Sequence, residues 1–181
     1  MRGWVAMSEL LDSFEANAKE SAAQVERVNP SSGAVRAAVL RALGSSTSIV
    51  LGPQEFLPDD TLGELRDLPG IISQPSDEQL STADAGVSAA FAGVASSGSV
   101  CIAMGAPLAT AASLLMPLHI VLLSPDRIVS RPRDVFDPLC LGGEGLRRDL
   151  VFITGPSATA DMGPLVWGVH GPHRLHILLL G

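Results

Sequence analysis

Residues 85–125 contain no lysine, arginine, aspartate or glutamate. A stretch of that length without formal charge must be buried, in a bilayer or in the interior of a folded domain. A spanning helix wants about 20 consecutive apolar residues, whereas Pro107, Pro117 and many Gly and Ser divide this stretch into short pieces. Val100-Cys101-Ile102-Ala103-Met104 and His119-Ile120-Val121-Leu122-Leu123 have the length of buried strands, the first entered through a turn at Ser96-Ser97-Gly98-Ser99. Residues 109–116 between them read as a helix. Apolar strands alternating with helices are the pattern of a parallel sheet covered on both faces, so no membrane span is expected.

The flanking segments extend that pattern. Ser8 opens a helix in which Leu11, Phe14 and Ala18 share one face. Val25 and Val28 flank Glu26-Arg27 in a short edge strand that Asn29-Pro30 stops. Ser32 begins a second helix with Val35, Val39 and Leu43 inward and Gly44 at its C-terminal end. Ser48-Ile49-Val50-Leu51, ended by Gly52-Pro53, has the length of a buried strand, and a small helix (61–66) and strand (70–73) come next. Arg127, Arg131 and Arg133 lie close together in residues 127–144, which read either as an anion-binding arm or as a solvated loop with one short helix. Asp126, Asp134 and Asp137 balance the arginines and favour the loop. The whole is read as one α/β domain, residues 1–181: a three-layer arrangement of a mostly parallel sheet with helices on both faces. Such sheets bind ligands at the C-terminal ends of their strands.

Composition removes several functions. Twelve Lys+Arg against nineteen Asp+Glu give a net charge of −7, a field that repels phosphate backbones, so nucleic acid is not an expected partner. Cys101 and Cys140 are the two cysteines. They supply neither a disulfide scaffold, a structural zinc site nor the four ligands of a conventional iron–sulfur cluster. No cofactor or metal is expected on this chain. No apolar secretory core precedes Glu9, which points to the cytoplasm.

The segment 151–181 is polar where a plain crossover would not be. Leu150-Val151-Phe152-Ile153 reads as a central strand and residues 175–180 as another, with enough chain between them for a parallel crossover. Directly after the first strand come Thr154-Gly155-Pro156-Ser157-Ala158-Thr159, a loop expected to turn into a helix and to aim amides and hydroxyls at a small anion. Asp161 falls in the first turn of that helix, where it serves the helix dipole or reaches the same ligand. As a purely structural turn, Ser157 or Thr159 caps the helix, yet neither forms a capping box, since Ala160 and Met162 stand three residues on. His170, in Gly168-Val169-His170-Gly171-Pro172, can return its imidazole toward the loop to move a proton or donate to an anion. His119 and His176 read as core or edge residues, His173 as exposed, and no nucleophile stands out. The candidate catalytic residues are therefore Asp161 and His170. Gly155, Pro156, Ser157, Thr159, Gly98, Ser99 and Gly171 are the candidate ligand-binding residues.

Gly155-Pro156-Ser157-Ala158-Thr159-Ala160-Asp161-Met162-Gly163, Leu165-Val166-Trp167-Gly168-Val169-His170-Gly171-Pro172 and Leu175-His176-Ile177-Leu178-Leu179 match a known pattern: G-P-S-R-T-A-D-I-E, L-V-x-G-V-H-G-P, L-H-V-I-L. In this the chain resembles the lactate-utilisation (LUD) domain family, in particular its protein C branch. Upstream, Ala95-Ser96-Ser97-Gly98-Ser99-Val100 is similar to the family's A-E-T-G-T-V and residues 113–120 to its S-L-L-P-x-x-H-I. Two positions depart: Ala158 replaces the family's arginine and Ser96 its acid. The resemblance implies the fold shared with sugar-phosphate isomerases and CoA transferases, and a part in oxidising L-lactate to pyruvate beside companion iron–sulfur proteins. With two cysteines this chain reads as the non-redox component, binding a small anionic metabolite. A free-standing enzyme on a phosphorylated sugar or acyl-CoA is the alternative from the fold. A ligand-binding regulatory module without chemistry is the alternative from Ala158 and Ser96.

Overall fold

The computed structural model describes residues 2–53, 55–57, 61, 63–105, 107–137, 149–160 and 163–181. In chain order they form α1 (Arg2–Glu20), β1 (Gln24–Val28), α2 (Ser32–Leu43), β2 (Ile49–Leu51), α3 (Gly63–Arg66), β3 (Ile71–Ile72), α4 (Asp77–Thr82), β4 (Ala85–Ala89), β5 (Ala92–Val94) and β6 (Ser99–Ala103). After these come α5 (Pro107–Leu114), β7 (Leu118–Leu123), β8 (Ile128–Val129), β9 (Leu150–Ile153), β10 (Ala158–Thr159), β11 (Val166–Trp167) and β12 (Arg174–Leu180), with 3₁₀ turns on either side of β8. No described helix is long and apolar enough to cross a membrane.

The main sheet has six strands in the order β1-β12-β7-β4-β2-β3, every pair parallel. Its strands alternate faces as the pleat requires. Leu118, Ile120 and Leu122 of β7 meet Val35, Val39 and Leu43 of α2 and Leu65 of α3 in one core. Val121 and Leu123 point the other way, onto Phe14 and Ala18 of α1. Helices thus cover both faces, as the alternation of apolar runs predicts. The inward residues of α2 and the edge position of β1 match the sequence reading.

A second sheet completes the face that carries α1. Its order is β8-β5-β6-β9, with β6 antiparallel to both β5 and β9. Here the structure corrects two expectations: β6 and β9 do not join the main sheet, and no parallel crossover links β9 to β12. The change happens at two residues. The Ala90 amide still donates to Leu122 O in the main ladder, whereas the Phe91 amide donates to Cys101 O in the second. Residues 95–98, all that connects β5 to β6, suffice for a hairpin but not for a parallel return, which takes a dozen or more residues.

The described part of the arginine-rich segment, residues 127–137, is not a plain solvated loop. Ile128 and Val129 form β8, and Arg127 turns inward. Its Nε donates to Phe91 O at 2.7 Å, and its guanidinium lies 4.7 Å from the centre of the Phe56 ring. It is committed to packing rather than to an anion-binding arm. Residues 138–148, Cys140 among them, lie outside the described residues.

Candidate functional site

The segment between β9 and β12 folds back on itself as a hairpin, with Ala158 opposite Trp167 and Thr159 opposite Val166. This replaces the expected helix after Thr159. The reason is in the sequence: a helix starting there would need an amide at position 164 to donate to the carbonyl four residues back, and Pro164 has none. Asp161 lies outside the described residues.

Ser157 ties the hairpin to the turn before β12. Its amide donates to Pro172 O at 2.9 Å, its carbonyl accepts from the Gly168 amide at 2.7 Å, and its Oγ accepts from the His170 amide at 3.3 Å. Gly171 belongs to the same closure, because a Cβ there would stand 3.3 Å from Ser157 Cβ. Thr159 and His170 line one open hollow of about 400 Å³ together with Ala160, Pro164, Val166 and Val169. His170 also borders a neighbouring hollow of about 340 Å³ with Leu115, Pro117 and His173. The structure therefore brings Ser157, Thr159, His170 and Gly171 together.

Gly98, Ser99, Gly155 and Pro156 do not line that hollow. Ser99 Oγ lies 2.6 Å from Thr154 Oγ1 and 2.7 Å from Ser97 Oγ, a short hydroxyl chain. Gly98 (φ +65°) and Gly155 (φ +80°) both press on the end of α1: a Cβ at Gly98 would come 2.1 Å from Ala18 N, and one at Gly155 2.0 Å from Ser21 O. Close helix approach thus accounts for both glycines, and Pro156 connects this group to Ser157. The hairpin hangs at the N-terminal edge of the main sheet, where the His173 and Arg174 amides donate to Pro117 O just ahead of β7. That is the edge opposite to the one the strand-end rule favours.

The favoured edge holds a feature the sequence reading missed. Between β2 and β4 the winding of the main sheet reverses, since β3 lies outside β2 while β7 and β12 lie beyond β4. A cavity of about 160 Å³ opens at the C-terminal ends of these two strands, lined by Pro53, Phe56, Ser88, Ala89, Ala103 and Ala109, with Glu55 also on its wall. Ser88 Oγ lies 2.8 Å from Nε2 of His119, and both residues are buried. His119 Nδ1 has no partner among the described residues, and burial pushes the imidazole down to about 3. Phe56 holds φ +76°, rare for a bulky residue, and packs edge-on against Phe91 at 5.1 Å. The signal was a serine in an otherwise small and apolar run. It became legible only once β4 was paired with β7.

Cys101 is inert as a nucleophile, because burial raises its thiol to about 12. No group of His, Cys, Asp and Glu able to hold a metal occurs among the described residues.

A six-stranded parallel sheet with helices on both faces defines an α/β domain, and a loop-built hollow lies at one edge of its sheet. Within that class the chain belongs to the LUD domain family, whose model matches residues 70–180. It is 29% identical to "Lactate utilization protein C" of Deinococcus radiodurans over 98% of this chain and 82% of that protein. It is 37% identical to the protein of the same name from Halalkalibacterium halodurans, over 54% of this chain and 44% of that one. The crystal structure of a DUF162 family protein from Deinococcus radiodurans superposes with a TM-score of 0.65 at 21% identity, covering 97% of this chain and 98% of that one. This likeness supports the α/β assignment.

Proposed function

We propose that the chain is a non-redox component of a lactate-utilisation system, binding a small anionic metabolite in the hollow beside His170. The observation that carries this reading is the convergence of two separate family-like segments: Thr159 from the first and His170 from the second line one hollow. The names of two relatives point to lactate utilisation. Two cysteines in the chain, with Cys101 buried in mid-strand, fall short of a conventional cluster's four ligands, which leaves electron transfer to companion iron–sulfur proteins. His170 offers a ring N–H and Thr159 a hydroxyl to a carboxylate, while Asp161 is assigned the proton-handling role with His170. The net charge of −7 disfavours nucleic acid, and a cytoplasmic location fits a metabolite-handling role.

One observation favours a second reading, a regulatory module that binds without turnover. Ala158 puts a methyl group where the family pattern has arginine, and the neighbouring hollow is lined largely by apolar residues. Both readings predict that deleting the gene slows growth on L-lactate but not on pyruvate, and that His170→Ala fails to restore it. Unchanged growth on L-lactate would overturn them. Reconstitution with the companion iron–sulfur proteins separates the two: the first reading predicts that lactate turnover requires this chain, whereas the second predicts a thermal shift with lactate or pyruvate and turnover that proceeds without it.

A further inference from the structure

We propose that the apolar surface made by the β10–β11 hairpin, the turn before β12 and the C-terminal end of α5 is where a second copy of the chain docks, as a reversible symmetric dimer. The inference goes beyond the ligand of the His170 hollow and does not depend on it.

Six of the nine exposed large apolar side chains among the described residues gather here: Leu114, Leu115, Leu165, Val166, Trp167 and Val169, between 37% and 60% exposed. They adjoin one another. Leu114, Leu115 and Val169 share the walls of the hollow of about 340 Å³, and Val169 shares those of the hollow of about 400 Å³ with Val166. Val166 and Trp167 are neighbours in β11, so their side chains leave opposite faces of the hairpin. At 52% and 43% exposed, they show that the rest of the chain fully covers neither face.

Charge, area and shape select the occupant. Residues 114–117 and 163–173 include no Lys, Arg, Asp or Glu, so these segments offer no ion pair to a highly charged partner, and no basic side chain to a lipid surface. Two copies with a net charge of −7 each repel, and an uncharged patch lets them meet without setting carboxylates face to face. Six large side chains, each about half exposed, offer on the order of 500 Å². Buried from both copies, this is about 1,000 Å², the size at which a specific interface begins. A symmetric dimer also needs a patch complementary to itself, and here a hairpin exposed on both faces lies beside two hollows. An interface at this lower limit predicts weak pairing, with a Kd of about 1–100 µM.

Sedimentation velocity on the full chain between about 1 and about 500 µM is expected to show monomer passing into dimer. Raising the salt from about 50 to about 300 mM should tighten the dimer, because salt screens the repulsion and breaks no ion pair in the patch. Leu115→Glu on the helix side and Val166→Glu on the hairpin side should each weaken it at least about tenfold. Leu40→Glu, at a comparably exposed apolar position on α2, should leave it unchanged. In Trp4→Phe protein Trp167 is the one tryptophan left, and its emission should move to the blue as the dimer forms. Monomer throughout the range would overturn the proposal and leave the patch to a different protein. A dimer that loosens with salt, survives both patch substitutions, weakens as much with Leu40→Glu, or forms without changing Trp167 emission would overturn it too. The wild-type salt and concentration series decides the matter even if a variant fails to fold.

Discussion

His119 shows how one buried side chain makes stability depend on pH. Its imidazole stays neutral in the folded state down to about 3, because burial alone opposes the charged form. In the unfolded chain a histidine takes up its proton near pH ~6.5. Between these values the unfolded state binds the extra proton, so this residue's contribution is fully present above about pH 6.5 and is lost as pH falls toward 3. The slope is at most about 1.4 kcal/mol per pH unit. Urea unfolding of the wild type and of His119→Gln at pH 7, 6, 5 and 4 should show the two curves converging as pH falls. Parallel curves would mean that the imidazole is protonated in the native state. Burial of His119 was readable from the apolar run around it, but its serine partner was not. That pairing depends on the register that sets Gly86 beside His119 and Ser88 beside Val121, and strand pairing is a tertiary fact.

Among the elements, α5 packs closely on β4 at Gly86. A Cβ on Gly86 would sit 2.1 Å from Ala112 O, so the helix backbone itself would have to move. Gly86→Ala is expected to lower the unfolding free energy by about 1–3 kcal/mol in urea titrations. Gly33→Ala in α2, where nothing lies within 4 Å, should be neutral or slightly stabilising. Equal effects at the two glycines would show that α5 yields freely. The long, strongly patterned elements, α2, β7 and β12, were legible because periodicity and uniform apolarity are local signals. β4 and β5 were not, because Ala85–Ala89 and Ala92–Val94 are made mostly of small residues with weak strand preference. In the hairpin the backbone was mistaken: Ala158 and Thr159 pair with Trp167 and Val166 instead of opening a helix, and Pro164 lacks the amide such a helix would use.

Over the whole molecule, the two sheets share one interior. Val121 and Ile177 of the main sheet pack with Val100 and Ile102 of the second and with Phe14 of α1, so neither sheet keeps a complete core alone. Calorimetry is expected to give a single transition whose calorimetric and van't Hoff enthalpies agree, and two resolved transitions would show that the second sheet melts as a separate unit. Thr159 and His170 meet at one hollow, but at the end of the strands opposite to the one expected, since only the assembled topology reveals which edge a loop reaches. That topology also bears on how the molecule is made. β12 is inserted between β1 and β7 and pairs with both, so residues 24–28 find their neighbour only after residue 174 has been translated. Until then the nascent sheet has a missing row along one side. Commitment to the native state therefore waits for the late arrival of a single strand, and a transcript cut short before that point would yield a product unable to join its own first strand to the rest.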